Sequence, residues 1–445
     1  MKRLILLSVI SFLLCINAFS RVDHLEAAKL ADKFLHSLTK NDGQAMYNQF
    51  NDTVKKQLSL EQTSSIWGQI TGMYGEFKSF GEIKTTDYKE FVICRNILEF
   101  QKGLLEATVT IDSNSLISGF YITPKQAEDK YIIPQYADTA KFVEMLIKFG
   151  EENFILDGVM SLPVSSKPTP VVILVHGSGP HDMDETIGPN KPFKDLAWGL
   201  ASNGIACLRY NKRTKQYPEK MLENFENSDI YDEVINDVTY AVNFLNHNYK
   251  NYNIDSSKIY IIGHSLGGTL LPRIVQKNQN AAGIISLAGM TRKIENVLLS
   301  QYQYLYQVDG ELSEDEKTKI EELKIQIKKM QSPDLNKSVP ADSLPLNMPA
   351  NYWLTFRDVD PAKEIRVMDK RVLILQGERD YQVTLEDFNI WKDALIDNPK
   401  AEFKSYKDLN HLFQIGEGKS KPEEYYKPVK VDGRIIKDIS DWIKE

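Results

Sequence analysis

Lys258-Ile259-Tyr260-Ile261-Ile262-Gly263-His264-Ser265-Leu266-Gly267-Gly268 decides the fold. Its first half is a short run of β-branched and aromatic residues, the composition of a buried strand. Its second half is G-x-S-x-G, and a helical stretch follows. A serine between glycines at a strand-to-helix turn is the arrangement of a nucleophile elbow. Bulky neighbours would block so tight a turn. In return the hydroxyl is held above the sheet at a helix N-terminus, where developing negative charge is favoured. A structural Gly-rich turn is the alternative reading.

A serine hydroxyl is a weak nucleophile and needs a histidine oriented by a carboxylate. On this type of sheet the order along the chain is Ser, acid, His. Histidines stand at 24, 36, 176, 181, 247, 264 and 411, and only His411 follows Ser265. The order therefore selects His411, in the loop Asp408–Phe413. The acid belongs just beyond an apolar strand between the two. Val372–Leu375 is that strand, and Asp380 after it is the expected acid, with Glu378 as the alternative. Two backbone N–H donors must hold the oxyanion. Leu266 is expected to supply one. Ser178, in His176-Gly177-Ser178-Gly179-Pro180 after the strand Val171–Val175, is expected to supply the other, with Gly179 as runner-up.

Outward from these residues, strands and helices alternate. Phe142–Phe149 and Phe154–Ser161 read as a hairpin-like pair, and Ile205–Tyr210, Gly283–Leu287 and Phe403–Tyr406 as strands. Tyr231–Asn246 and the apolar face of Ile435, Ile436, Ile439, Trp442 and Ile443 read as helices. The pattern implies a mostly parallel sheet covered on both faces. About residues 290–365 interrupt it with charge, tyrosines (Tyr302, Tyr304, Tyr306) and the helical stretch Glu314–Met330. That insertion is expected as a helical lid, or else as a surface excursion with its tyrosines packed inward.

The N-terminal part reads differently. Leu25, Ala28, Phe34, Leu35 and Leu38 suggest helices over 24–58, broken near Asn41-Asp42-Gly43. Phe91–Ile93, Leu104–Ile111 and Ile117–Ile122 suggest successive strands with a turn at Asp112-Ser113-Asn114. Helices followed by strands predict a small α+β domain. This stretch resembles the NTF2-like, DUF3887-type domain found before bacterial hydrolases, and since nothing in it looks catalytic it is expected as a binding or positioning module. The expected division is 1–20 leader, 21–122 α+β domain, 123–137 linker and 138–445 hydrolase domain.

Lys2 and Arg3, the apolar run Leu4–Ile16 and Ala18-Phe19-Ser20 resemble a secretory leader cleaved after Ser20. The expected product is exported, periplasmic or secreted, with no stable membrane insertion; an uncleaved anchor is the alternative. Leu13 and Leu14 before Cys15 argue against a lipoprotein. Cys94 and Cys207 remain, expected as buried free thiols rather than a disulfide. The formal net charge of −7 argues against nucleic-acid partners. The chain's 445 residues, 42% hydrophobic and 26% charged, allow a sizeable core in two or three domains.

His176 to Phe193, Arg209-Tyr210-Asn211-Lys212-Arg213 and Gly263 to Gly268 together resemble one branch of the α/β-hydrolase superfamily. That branch reads H-G-S-G-P-x-D-R-D-E-T-I-G-P-N-K-P-F, R-Y-D-K-R and G-H-S-x-G-G. Met183 replaces the arginine and Asn211 the aspartate. The resemblance implies an α/β-hydrolase sheet and a carboxylesterase acting on small-molecule esters of short to medium acyl chain. A serine peptidase taking exported peptides is the rival, and a binding protein on an inactive hydrolase fold is the other. No cofactor is implied. The acids and histidines of 181–193 could be read as a metal site, but no paired ligand spacing supports it.

Overall fold

The computed structural model of the chain describes residues 22–88, 90–125, 131–308 and 310–445. The leader-like residues 1–20 lie outside these. The described residues form two compact units that divide between Lys130 and Tyr131.

The first unit opens with α1 (His24–Thr39), α2 (Gly43–Gln49), α3 (Asp52–Gln57) and α4 (Leu60–Tyr74). Helix α1 buries Ala27, Ala31, Phe34, Leu35 and Leu38. Leu25, expected on that face, is exposed because it lies half a turn round the helix from Phe34. Side chains of Asp42, Asn51 and Ser59 cap the next three helices, Ser59 with Gln62 as a reciprocal capping box. The reading of the sequence missed α4, although that box spells its start.

Five antiparallel strands follow: β1 (Phe77–Phe80), β2 (Lys84–Tyr88), β3 (Phe91–Phe100), β4 (Gly103–Ile111) and β5 (Ile117–Lys125). The order is β1-β3-β4-β5, with β2 also paired to β3. Alternate residues of β3, from Val92 to Phe100, point into the core against α1. Cys94 is one of them, and both it and Cys207 are buried free thiols.

The second unit is built on eight strands: β6 (Phe142–Glu151), β7 (Phe154–Pro163), β8 (Thr169–Val175), β9 (Ala206–Tyr210), β10 (Ile254–His264), β11 (Gly283–Leu287), β12 (Arg371–Gly377) and β13 (Ala401–Tyr406). Their order is β13-β12-β11-β10-β8-β9-β7-β6. The hairpin β6–β7 is antiparallel, β7 joins β9 antiparallel, and every other pairing is parallel. β8 and β10 lie side by side at the centre, and between them the chain changes its direction of travel across the sheet. In open parallel sheets that reversal leaves a crevice at the strands' carboxyl ends, where sites form.

Two apolar layers cover the sheet. On one face pack the helices Pro192–Ser202 and Gly433–Lys444, on the other Asn236–Asn248, Leu271–Lys277 and Leu385–Ala394. Between β11 and β12 the chain forms further helices, among them Ile294–Gln307, Glu314–Gln331, Ala350–Phe356 and Pro361–Ile365. Tyr304 of this insertion stacks on Tyr381 at 4.8 Å, and its hydroxyl donates to the Ser420 carbonyl. Residues 131–137, expected as linker, include Tyr131 and Tyr136, whose hydroxyls donate to Asp195 and the Val431 carbonyl. They are therefore built into the second unit.

The last helix shows how strongly the pattern is enforced. Ile435, Ile436, Ile439, Trp442 and Ile443 are all buried, with Trp442 against Tyr260 and under the Arg371 guanidinium. Trp442→Ala should lower the unfolding free energy of this unit by about 3–5 kcal/mol, read from urea melts.

Candidate active site

The elbow is built as the motif demands. β10 ends at His264, Ser265 takes φ 52° and ψ −116°, and Leu266–Thr269 is already helical. A Cβ on residue 263 would lie 2.4 Å from the Gly267 carbonyl carbon, and one on residue 267 would lie 2.4 Å from the Val175 oxygen. Only glycine fits either place. The Ser265 N–H donates to the Leu287 carbonyl, anchoring the turn to β11.

The expected acid and base, Asp380 and His411, lie beyond the ends of β12 and β13. Asp380 Oδ2 accepts the His411 Nδ1–H at 2.6 Å, and both residues are buried. Asp380 Oδ1 accepts from the N–H groups of Gln382 and Val383, and the Gln376 amide donates to Oδ2. The carboxylate is thus aimed by four donors. Glu378 is exposed and accepts from Ser405 Oγ instead. Among the described residues no hydrogen bond joins Ser265 to His411. The two loops meet through His264, whose ring lies 4.7 Å from that of His411 and whose Nε2–H donates to the His411 carbonyl.

The loop after β8 lies over the serine. Because Gly263 pairs with Val175, the two chain segments leave the sheet together. Gly177 N–H donates to Glu185 at 2.8 Å and Gly179 N–H to Glu233 at 3.2 Å. The N–H groups of Ser178 and Leu266 make no hydrogen bond among the described residues. Of the two candidates in the loop, Ser178 is the free donor and Gly179 is not.

His264 and Glu185 form a buried ion pair at 3.0 Å. Both imidazole nitrogens face acceptors, a carboxylate and a carbonyl, which suits the protonated ring. Burial opposes the charge on each partner. For Glu185 the charge of His264 outweighs burial and holds the carboxyl down at about 2. For His264 burial is outweighed by Glu185 in the same way, and its pKa is raised. His176, with no such partner, is pushed down to about 3 by burial and stays neutral.

The remaining acids of residues 181–193 have protein partners. Asp182 accepts from Asp184 N–H, Thr186 N–H and the Thr186 hydroxyl, while Asp184 pairs with Arg209 and Lys191. The two departures from the family pattern meet here: Met183 N–H donates to Asn211 Oδ1. Glu185 and Lys212 lie inside the quoted motifs but carried no assigned role, and Glu233 carried no signal at all.

The BD-FAE family matches residues 159–395, which hold the loop after β8, the elbow and Asp380 but end before His411. The chain is 37% identical over 413 residues to esterase EstD of Thermotoga maritima, covering 92% of this chain and 93% of that one. It belongs to the BD-FAE family of α/β-hydrolases. In this hydrolase the first unit matches the family described as a protein of unknown function, DUF3887, over residues 31–120. Solved structures resembling the chain include an esterase of Pyrococcus furiosus (15% identity, 68% of this chain and 91% of that one, TM-score 0.43). Another is the Pyrobaculum calidifontis esterase (15%, 68% and 84%, TM-score 0.44).

Beside Ser178 and Leu266 the hydrolase has a cavity of about 560 Å³. Met221, Leu222, Phe225, Met290, Trp353 and Phe356 supply much of its wall, so an apolar group is the natural occupant. Three of these, Met290, Trp353 and Phe356, come from the segment between β11 and β12.

Glu185→Gln should cost about 3–5 kcal/mol of stability, because it strands a buried imidazolium. The depressed Glu185 carboxyl stabilises the fold above the ordinary value of 4.5, and this is lost as pH falls toward 2. The raised His264 stabilises it below the ordinary 6.5, and this is lost as pH rises through the folded value. Thermal melts of wild type and variant should therefore differ most between pH 4.5 and 6.5 and converge in more alkaline buffer.

Proposed function

We propose that this carboxylic ester hydrolase cleaves small-molecule esters of short to medium acyl chain through an acyl-enzyme on Ser265. One observation carries the reading. His411 spends Nδ1 on Asp380, while the N–H groups of Ser178 and Leu266 are left unspent beside a strained serine.

His411 Nε2 takes the Ser265 proton as Oγ attacks the ester carbonyl carbon. The carbonyl π electrons move to oxygen, and the N–H groups of Leu266 and Ser178 receive the oxyanion. As the tetrahedral intermediate collapses, the C–O bond to the alcohol breaks and the alcohol leaves with the proton from His411. Water, deprotonated by the same imidazole, then repeats the steps on the acyl-enzyme. Asp380 holds the imidazole tautomer and stabilises the imidazolium. The apolar cavity suits the acyl chain, with the insertion as its lid.

The same chemistry cleaves amides, so preference must come from recognition. A peptidase that reads a free amino terminus needs an unspent carboxylate at the pocket. Two acids line this one. Glu233 accepts from Lys212, Tyr352 and Gly179 N–H, and Asp229 from the N–H groups of Tyr231 and Asp232. Glu233 is not left for an ammonium group. Asp229 has its Oδ1 occupied, while Oδ2 has no hydrogen-bond partner among the described residues. The mostly apolar wall is what favours esters. The leader-like residues 1–20 support action outside the cytoplasm, with the first unit as a binding or positioning module.

Turnover of p-nitrophenyl esters of graded acyl length should peak in the short to medium range. It should exceed turnover of aminoacyl p-nitroanilides and fall by about 10⁴-fold or more in Ser265→Ala. Faster anilide turnover, or ester turnover surviving in the variant, would overturn the reading.

A further inference from the structure

Ser178 lies between two glycines whose amide protons are both spent on carboxylates. Gly177 N–H goes to Glu185 Oε1 at 2.8 Å, and Gly179 N–H to Glu233 Oε1 at 3.2 Å. Lys212 closes the arrangement, donating to the Gly177 carbonyl at 2.9 Å and to Glu233 Oε1 at 2.8 Å. A loop gripped at the amides on both sides of one residue cannot swivel freely about it. The Ser178 N–H shares a peptide plane with the Gly177 carbonyl held by Lys212. Glu185 and Glu233, from different parts of the chain, hold the planes on either side, with Glu233 also placing Lys212.

The second oxygens of the two carboxylates differ in what they meet. Glu185 Oε2 faces His264, inside the site. Glu233 Oε2 accepts the Tyr352 hydroxyl at 2.8 Å. Tyr352 belongs to the helix Ala350–Phe356 of the insertion and lines the same cavity as Ser178 and Glu233. Glu233 itself sits in a single π-turn, Tyr231–Ile235, at the head of the helix Asn236–Asn248. Such turns cost hydrogen-bond geometry and concentrate at functional sites. An ion pair as enclosed as that of Lys212 and Glu233 is also weak support for stability alone, since apolar residues often serve as well.

We propose that Glu233 is a positioning residue that couples the pocket wall to the oxyanion hole. An acyl group filling the cavity seats Tyr352, Tyr352 orients Glu233, and Glu233 sets the loop so that Ser178 N–H meets the developing oxyanion. This rests on the assignment of Ser265, Leu266 and Ser178 made above. The consequence is kinetic: the wall acts on kcat, because the hydrogen bond it aims is strongest in the transition state.

The test is steady-state kinetics of the full chain on p-nitrophenyl butyrate, with binding of a trifluoromethyl ketone whose serine hemiketal carries an oxyanion. Tyr352→Phe removes only the hydroxyl and keeps the ring in the wall. It should lower kcat about tenfold with KM within about twofold, short of the roughly 10²–10³-fold cost of deleting an oxyanion donor. Ketone affinity should weaken in step with kcat, with the melting temperature nearly unchanged. Glu233→Gln keeps an acceptor for Gly179 N–H and should retain more kcat than Glu233→Ala. A rise in KM with kcat kept, or wild-type kinetics in folded Tyr352→Phe, would overturn the proposal. So would equal losses in folded Glu233→Gln and Glu233→Ala; if the alanine variant fails to fold, Tyr352→Phe decides. Ser265→Ala in the same assay separates the two readings, because turnover surviving there would sink the site assignment itself.

Discussion

Ser265 is held at φ 52° and ψ −116°, a backbone state that costs a residue with a Cβ about 1–3 kcal/mol. The surroundings impose it. β10 is locked between β8 and β11 in parallel register, and Ser265 N–H is tied to Leu287 on the neighbouring strand. Gly263 and Gly267 allow the following helix to fold back at once over the strand end. From this one strained residue follow the lifted hydroxyl, the unspent Leu266 N–H and the need for a loop close above it. The central position of β10 supplies the rigidity that such a turn requires.

Around the elbow, the site is a meeting of loops from four strand ends, and loops tend to move. Buried charge opposes that tendency here. His264 reaches the His411 carbonyl on one side and Glu185 on the other, and Glu185 also receives Gly177 N–H. One imidazole thereby joins the loop of His411 to the loop after β8, directly behind Ser265. Burying such a pair carries a desolvation cost that Coulomb attraction barely offsets. Its return is geometric: donors held in place before the reaction need no reorganisation during it.

How much of this could be read from the residues depended on how local the cause was. The elbow is written in five consecutive residues because its constraint, lack of room for a Cβ, is met by its own glycines. His411 could be singled out because chain order left no other histidine. Asp380 and Glu378 stand two residues apart, and only the fold shows Asp380 turned in to His411 and Glu378 turned out to Ser405. Glu233 and Tyr352 were invisible, because their roles arise where a π-turn and an insertion helix meet across 119 residues of chain. In the first unit, α1 was legible but its face was misphased at Leu25. The short strands β1 and β2 escaped because they alternate too briefly, with partly exposed residues, to show a period.

Trapping the covalent intermediate tests the central claim most directly. A p-nitrophenyl ester mixed with enzyme, quenched in acid within milliseconds and digested, should yield one peptide heavier by the acyl group. The acyl group should map to Ser265, and p-nitrophenolate should be released in a burst close to one equivalent. Adduct on another residue, or turnover with neither burst nor adduct under rate-limiting deacylation, would contradict an acyl-enzyme at this serine.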